Sequence, residues 1–182
     1  MRRTLLLIIL LVAPPAMTAV VSAVLRYPSR FSEVLPSELY RGAYPTGAQV
    51  DHLVSDCRIR TILNLTTVTQ DHREREEAAA AARHGVEVVR VSMPGDGCAD
   101  FETLDRAAAV LADQSRRPIF FHCVAGKQRS NAVLAAYRMR YGGWSLDRAL
   151  RELDAHGLDR TAEKALCDHL EAYSRTIRQR VP

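Results

Sequence analysis

Short apolar runs alternate with longer segments of helical periodicity along most of the chain. Thr61–Leu65, Val86–Val91 and Pro118–His122 are rich in aliphatic, β-branched or aromatic residues and predict buried strands. Apolar positions at helical spacing predict a helix at Phe101–Ser115, and a run rich in Glu, Arg and Ala, ended by Gly85, predicts one at Gln70–His84. The other predicted helices are Thr46–Cys57, Ser130–Tyr141, Ser145–Ala155 and Thr161–Arg178. This alternation predicts an α/β fold with a central, mostly parallel sheet flanked by helices.

The pattern differs at the start of the chain. Thr4–Leu25 has no charged residue and follows Arg2 and Arg3. The charged start and the small residues at Val21–Ala23 fit a cleaved signal peptide, whereas the length of the run also fits a membrane anchor. Pro14 would kink a spanning helix, which favours cleavage, but both alternatives stay open, and a buried N-terminal helix is a third. Either one predicts an exported, periplasmic or otherwise extracytoplasmic location for the remainder.

The amino-acid composition and net charge indicate the number of domains and the class of partner. The chain has 182 residues, 47% hydrophobic and 25% charged, which suits one globular domain. Its 25 basic and 21 acidic residues include Arg2 and Arg3, so the rest is nearly neutral. A protein that binds nucleic acid normally has a larger basic excess, so we expect no nucleic-acid partner. We therefore expect a signal peptide or membrane anchor over residues 1–25 and a single domain over residues 26–182.

The four cysteines do not indicate a metal site. No CxxC pair or Cys/His spacing typical of zinc is present, so we expect no metal. An exported protein can form a disulfide, and the spacing leaves the pairing of Cys57, Cys98 and Cys167 open.

The segment after the last predicted strand carries the chemistry. Cys123 is followed by five residues, then by Arg129 and Ser130 at the entry to a helix. In a tight loop, the backbone N–H groups point at one centre and the helix adds its positive end, which makes a cradle for a tetrahedral oxyanion. Arg129 can hold two phosphate oxygens in a bidentate fork. The residues predicted to bind substrate are Val124, Ala125, Gly126, Lys127, Gln128 and Arg129.

The same surroundings favour a thiolate at Cys123. Amide dipoles, the helix end and Arg129 lower the pKa of a thiol, and a thiolate beneath a phosphate is placed to attack phosphorus. Ser130 is predicted to donate a hydrogen bond to the sulfur when it leaves, and His122 to orient Cys123. The alternative is a buried structural cysteine beside a solvated arginine, and the combined pattern of strand, glycine, arginine, serine and helix argues against it.

The sequence His-Cys-x-x-Gly-x-x-Arg-Ser at His122–Ser130 resembles the signature loop of the protein tyrosine phosphatase superfamily. Leu39–Pro45 and Thr61–Leu65 are similar to the opening segments of its compact bacterial dual-specificity branch, and the likeness runs from about Phe31 to Gly157. The resemblance implies that fold and a catalytic domain over residues 26–182. Asn131 departs from it, since the family often has glycine there.

The resemblance also implies an aspartate on a separate mobile loop as the acid that protonates the leaving group. The loop Met93–Asp100 follows a predicted strand and contains two glycines. We assign Asp96 as the general acid and Asp100 as the cap of the next helix.

These residues predict a cysteine-dependent phosphatase that hydrolyses phosphate monoesters through a cysteinyl-phosphate and needs no cofactor, because the loop supplies the positive field. The possible substrates are phosphotyrosine, phosphoserine or phosphothreonine proteins, phospholipids and inositol phosphates; Lys127 is a residue that relatives acting on phosphoinositides often carry. The alternatives are a catalytically weak module that binds phosphorylated ligands and a sulfurtransferase, whose loop is typically shorter. The N-terminal run makes membrane association an option, and the oligomeric state is left open.

Overall fold

The computed structural model describes residues 26–179, so the N-terminal apolar run lies outside the described residues. Its strands are β1 (Ser32–Leu35), β2 (Leu39–Gly42), β3 (Thr61–Asn64), β4 (Glu87–Arg90) and β5 (Ile119–His122). Its helices are α1 (Gly47–Cys57), α2 (His72–His84), α3 (Phe101–Ala112), α4 (Gln128–Arg140), α5 (Leu146–Ala155) and α6 (Lys164–Gln179).

The five strands form one mixed sheet in the order β1-β2-β5-β3-β4. β2, β5, β3 and β4 are parallel, and β1 joins β2 as an antiparallel edge strand. The register aligns Gly42, His122, Asn64 and Arg90 across the sheet. The carboxyl ends of four strands therefore meet at one edge, which is where ligands bind in open α/β sheets.

Helices cover both faces of the sheet, because neighbouring strand residues point to opposite sides. Phe120 and Ile62 pack with the buried faces of α1 and α2. Phe121 and Leu63 pack on the other face, in the larger core formed with α3, α4, α5 and α6. α4, which follows the loop Cys123–Lys127, lies in this core, and most of its side chains are buried.

Side-chain caps set several helix starts. Thr46 and Gln49 form a reciprocal capping box before α1, and Asp71 and Ser145 cap α2 and α5. α3 ends before the predicted Ser115, because the Asp113 carboxylate accepts from the Ser115 N–H and starts a short 3-10 helix, Gln114–Arg116. Among residues 26–179, none of the helices combines the length and apolar character needed to cross a bilayer.

Candidate active site

The loop from Cys123 to Lys127 joins β5 to α4 at the centre of the sheet. Cys123 is 2% exposed, and the neighbouring Val124 is half exposed, so the sulfur lies at the bottom of a surface loop. Lys127 occupies the N-cap position of α4 but caps no N–H with its side chain. The positive end of a buried helix therefore points at the loop.

Gly126 is required at the turn of this loop. Its φ is +65°, and a Cβ there would come within 2.6 Å of the carbonyl of Gly42 on β2. Within residues 26–179, the N–H groups of Val124, Ala125 and Gly126 form no backbone hydrogen bond. These amides, together with the first-turn amides of α4, are donors available to an oxyanion.

The pKa of the Cys123 thiol is lowered. Burial by itself raises it, but the Ser130 side chain, the N–H groups of Ser130 and Lys127, and the charge of Arg129 together outweigh burial. By contrast, burial raises the pKa of the other three thiols, Cys57, Cys98 and Cys167. All four cysteines are free thiols in the structure, and Cys123 is the one whose thiolate form is favoured.

Arg129 and Ser130 lie in the first turn of α4, beside the sulfur. The Nε of Arg129 and the hydroxyl of Ser130 are both buried, and neither forms a well-aligned hydrogen bond with another described residue. The Ser130 hydroxyl nevertheless helps lower the Cys123 pKa. Both residues therefore favour the Cys123 thiolate, and these two polar groups have no other structural partner among the described residues.

A buried network of hydrogen bonds, which the sequence did not predict, reaches Cys123 through His122. The Nε2 of His122 lies 2.6 Å from a carboxylate oxygen of Glu77, which is 1% exposed. Asn64 Nδ2 and the Tyr44 hydroxyl donate to the second oxygen at 2.6 and 3.1 Å. His122 Nδ1 faces the Cys123 carbonyl at 3.3 Å. His122 therefore acts on the backbone of Cys123, and Glu77 orients its ring.

Sequence reasoning also missed Arg41, which is 1% exposed although it lies on β2. Its Nη2 donates to the Gly126 carbonyl at 2.9 Å and to Asn131 Oδ1 at 2.7 Å. Asn131, the departure from the family pattern, thus has a structural reason. It anchors a guanidinium that fixes the far side of the loop.

The loop Met93–Asp100 packs directly on the start of α4. Gly97 has a φ of +82°, and a Cβ there would lie 2.8 Å from the Gln128 carbonyl, so only glycine allows this approach. The adjacent Asp96 is exposed, and its carboxylate accepts from the Cys98 N–H at 2.9 Å. Asp100 accepts from the Thr103 N–H at 2.7 Å, which confirms it as the cap of α3.

Lys127 is held at the rim by Glu163, with 3.3 Å between its ammonium nitrogen and a carboxylate oxygen. Glu163 comes from the segment before α6, so the rim of the loop is tied to the C-terminal helices. The pair offsets the charge of Lys127, which reduces its value as a separate cation for substrate.

Comparisons with known proteins agree with this geometry. Residues 19–169 match the family described as a DSP-PTPase phosphatase fused to NAD+ kinase. Protein-tyrosine-phosphatase IBR5 of Arabidopsis thaliana is 29% identical over 115 residues, which cover 63% of this chain and 40% of that protein. Dual specificity protein phosphatase TpbA of Pseudomonas aeruginosa is 29% identical over 119 residues, which cover 65% of this chain and 51% of that protein. The match thus spans about half of these relatives or less.

Solved structures share the fold. The core catalytic domain of the PP-IP phosphatase SIW14 from S. cerevisiae superposes with a TM-score of 0.67 at 21% identity, covering 81% of this chain and 87% of that one. PTPMT1 superposes with a TM-score of 0.65 at 21% identity, covering 82% and 97%. Because the family match covers most of the chain and the fold agrees, the chain belongs to the dual-specificity phosphatase family of the protein tyrosine phosphatase superfamily.

Proposed function

We propose that this chain is a cysteine-dependent phosphatase acting on phosphate monoesters. The observation that carries the proposal is Cys123 itself, a buried thiol with a lowered pKa beneath unpaired loop amides and next to Arg129. A structural cysteine in so buried a place would be expected to have a raised pKa.

The reaction proceeds in two steps. The Cys123 thiolate attacks phosphorus and forms an S–P bond while the ester P–O bond breaks, and Asp96 gives its proton to the leaving oxygen. A water molecule then attacks the phosphorus of the cysteinyl-phosphate and passes a proton to Asp96. The S–P bond breaks in this step, and phosphate and the Cys123 thiolate are released. Arg129 and the loop amides stabilise the negative charge on the phosphoryl oxygens in both steps.

Replacing Cys123 with serine tests the mechanism. We expect Cys123→Ser to lose at least about 10³-fold in turnover of p-nitrophenyl phosphate, because a serine hydroxyl at neutral pH is a far weaker nucleophile. The variant should still bind inorganic phosphate, since the loop amides remain. Cys167→Ser is the matched control. Retained turnover in Cys123→Ser would refute the mechanism, and phosphate binding without turnover in the wild-type chain would favour the phospho-ligand module.

The names of relatives with solved structures support the classes of substrate that we propose. SIW14 is named a PP-IP phosphatase, one PTPMT1 structure holds PI(5)P, and one TpbA structure holds pTyr. We propose phosphorylated proteins, phosphoinositides or inositol phosphates as substrates. A panel of phosphotyrosine, phosphoserine and phosphothreonine peptides, a phosphoinositide and an inositol phosphate, compared by kcat/KM, distinguishes them.

We further propose that residues 1–25 export or anchor the domain that spans residues 26–182. The absence of charge from Thr4 to Leu25 after Arg2 and Arg3 supports this. Cell fractionation with N-terminal sequencing tests it: a soluble exported product lacking these residues indicates cleavage, and an intact chain in the membrane indicates an anchor. An intact soluble cytoplasmic chain would contradict both.

A further inference from the structure

A cavity of about 330 Å³ lies beside the loop, on the side of Gly126. It lies between the start of β1, the middle of β2 and the C-terminal end of α5. Its polar lining consists of Arg30, Ser32, Arg41 and His156. None of these groups takes part in the proposed reaction.

Two buried polar groups in this lining have no partner. Arg41 Nη1 and the Ser32 hydroxyl form no hydrogen bond with any residue of the described chain. Ser32 and Arg41 are direct cross-strand neighbours in the β1–β2 pair, so their side chains project from the same face of the sheet. A buried donor without a partner is unfavourable, so two of them on residues that line one cavity indicate a ligand that accepts hydrogen bonds.

The charged residues in the cavity lining indicate the charge of that ligand. Burial lowers the pKa of Arg41 to about 10, so it stays charged at neutral pH, and Arg30 adds a second guanidinium that donates to the Ala125 carbonyl at 3.0 Å. The nearby carboxylate, Glu152, is already paired with Arg138 at 2.7 Å. The lining is therefore cationic and suits an anion.

We propose that this cavity is a second phosphate subsite, adjoining the catalytic loop through Gly126. It takes either the second phosphate of a substrate whose first phosphate lies over Cys123, or a free phosphate ion. Arg41 adjoins both sites, because its Nη2 donates to the Gly126 carbonyl while the residue belongs to the lining of the cavity. The substrate-borne case rests on the proposed phosphatase function, whereas binding of free phosphate does not.

Amide chemical shifts test binding without requiring turnover. Inorganic phosphate added to the full-length chain in a neutral detergent should move two groups of amides: Val124 and Ala125 in the loop, and Ser32 and Gly157 at the cavity. In Arg129→Met the response of the loop group should weaken, because the bidentate guanidinium is lost, whereas the cavity group should respond as in the wild-type chain. A double substitution, Ser32→Val with His156→Phe, should silence the cavity group and leave the loop group, which also shows that the variant is folded. His72→Phe, outside the cavity, is the matched control.

Kinetics then distinguish the two sources of phosphate. If the subsite serves the substrate, the kcat/KM of an inositol bisphosphate relative to an inositol monophosphate should fall about tenfold or more in Ser32→Val/His156→Phe, because two polar groups of the lining are removed. An unchanged ratio with a responsive cavity group assigns the site to free phosphate. Absence of any response at Ser32 and Gly157, when phosphate saturates the loop, would overturn the subsite and leave the phosphatase proposal standing.

Discussion

The sulfur of Cys123 differs electrostatically from the other thiols of the chain. Its pKa is lowered, whereas those of Cys57, Cys98 and Cys167 are raised by burial. At pH about 6, iodoacetate should therefore alkylate Cys123 on the order of tenfold faster than any other cysteine, because the thiolate is the reactive form. Mass spectrometry of tryptic peptides measures the order, and equal labelling of all four would contradict the lowered pKa.

Ser130 accounts for part of this lowering. Ser130→Ala removes a hydroxyl that stabilises the thiolate, so the pKa of Cys123 should rise and the acidic limb of kcat/KM should move to higher pH. The activity lost at a given acidic pH should be recovered as the pH rises. A pH profile with p-nitrophenyl phosphate measures the shift, and Ser115→Ala, in the distant 3-10 helix, should leave the profile in place.

Asp96 is expected to matter only when the leaving group needs a proton. Asp96→Asn should reduce turnover of an alkyl phosphate by about 10²-fold or more and that of an activated aryl phosphate much less. Asp100→Asn is the control, since Asp100 is occupied with the Thr103 N–H. Equal losses on both substrates in Asp96→Asn would remove its assignment as the acid.

The turn between β5 and α4 depends on close contact with β2. Gly126→Ala adds a methyl group 2.6 Å from the Gly42 carbonyl and also strains a positive φ, so it should destabilise the fold by about 2–4 kcal/mol. Gly143 has the same φ of +65° with nothing within 4 Å of an added Cβ, so Gly143→Ala should cost only about 1 kcal/mol. Urea denaturation of both variants separates contact from backbone strain, and equal losses would show that the β2 contact contributes nothing.

Regular patterns made most elements predictable. β3, β4 and β5 lie in runs rich in aliphatic, β-branched or aromatic residues, and the six helices lie in segments of helix-forming residues or of helical spacing, so each was placed within about three residues. β1 and β2 were missed because β1 is only partly buried and β2 contains Arg41. A charged residue in a sequence normally predicts an exposed position. The burial of Arg41 depends on hydrogen bonds to Asn131 and to the Gly126 carbonyl, which are distant in the chain.

The residues of the site, like the strands and helices, divide into those that the sequence predicted and those that it did not. The motif from His122 to Ser130 was correctly predicted to follow a buried strand and to enter a helix, and the Asp100 cap is confirmed. Glu77 was missed because it lies in a helix rich in Glu and Arg, where a carboxylate normally faces solvent. Only the pairing of β3 with β5 brings Asn64 and His122 next to each other, and Glu77 joins them from α2.

Glu77 also links the site to the stability of the domain. Burial raises its pKa, but hydrogen bonds from His122, Asn64 and Tyr44 outweigh burial and leave the pKa lowered. A carboxyl with a lowered folded pKa stabilises the fold above its unfolded pKa, about 4.3, and this stabilisation is lost as the pH falls through the folded value.

Glu77→Gln should therefore lower the free energy of unfolding by about 1–3 kcal/mol at pH 7 and flatten its decline between about pH 5 and pH 3. Chemical denaturation at several pH values measures both effects. Glu102→Gln, at an exposed position of α3, should leave the pH dependence as it is in the wild-type chain. An equally steep decline in Glu77→Gln would assign the acid sensitivity to other carboxylates.

The strand order also has a consequence for synthesis. β5 lies between β2 and β3, yet it is the last strand to leave the ribosome. Until Ile119–His122 emerge, β2 and β3 have no strand between them and each presents an open edge, which is prone to pairing with other chains. The nascent chain is therefore most vulnerable to aggregation just before the segment that leads into Cys123 is made, and insertion of that segment closes the sheet.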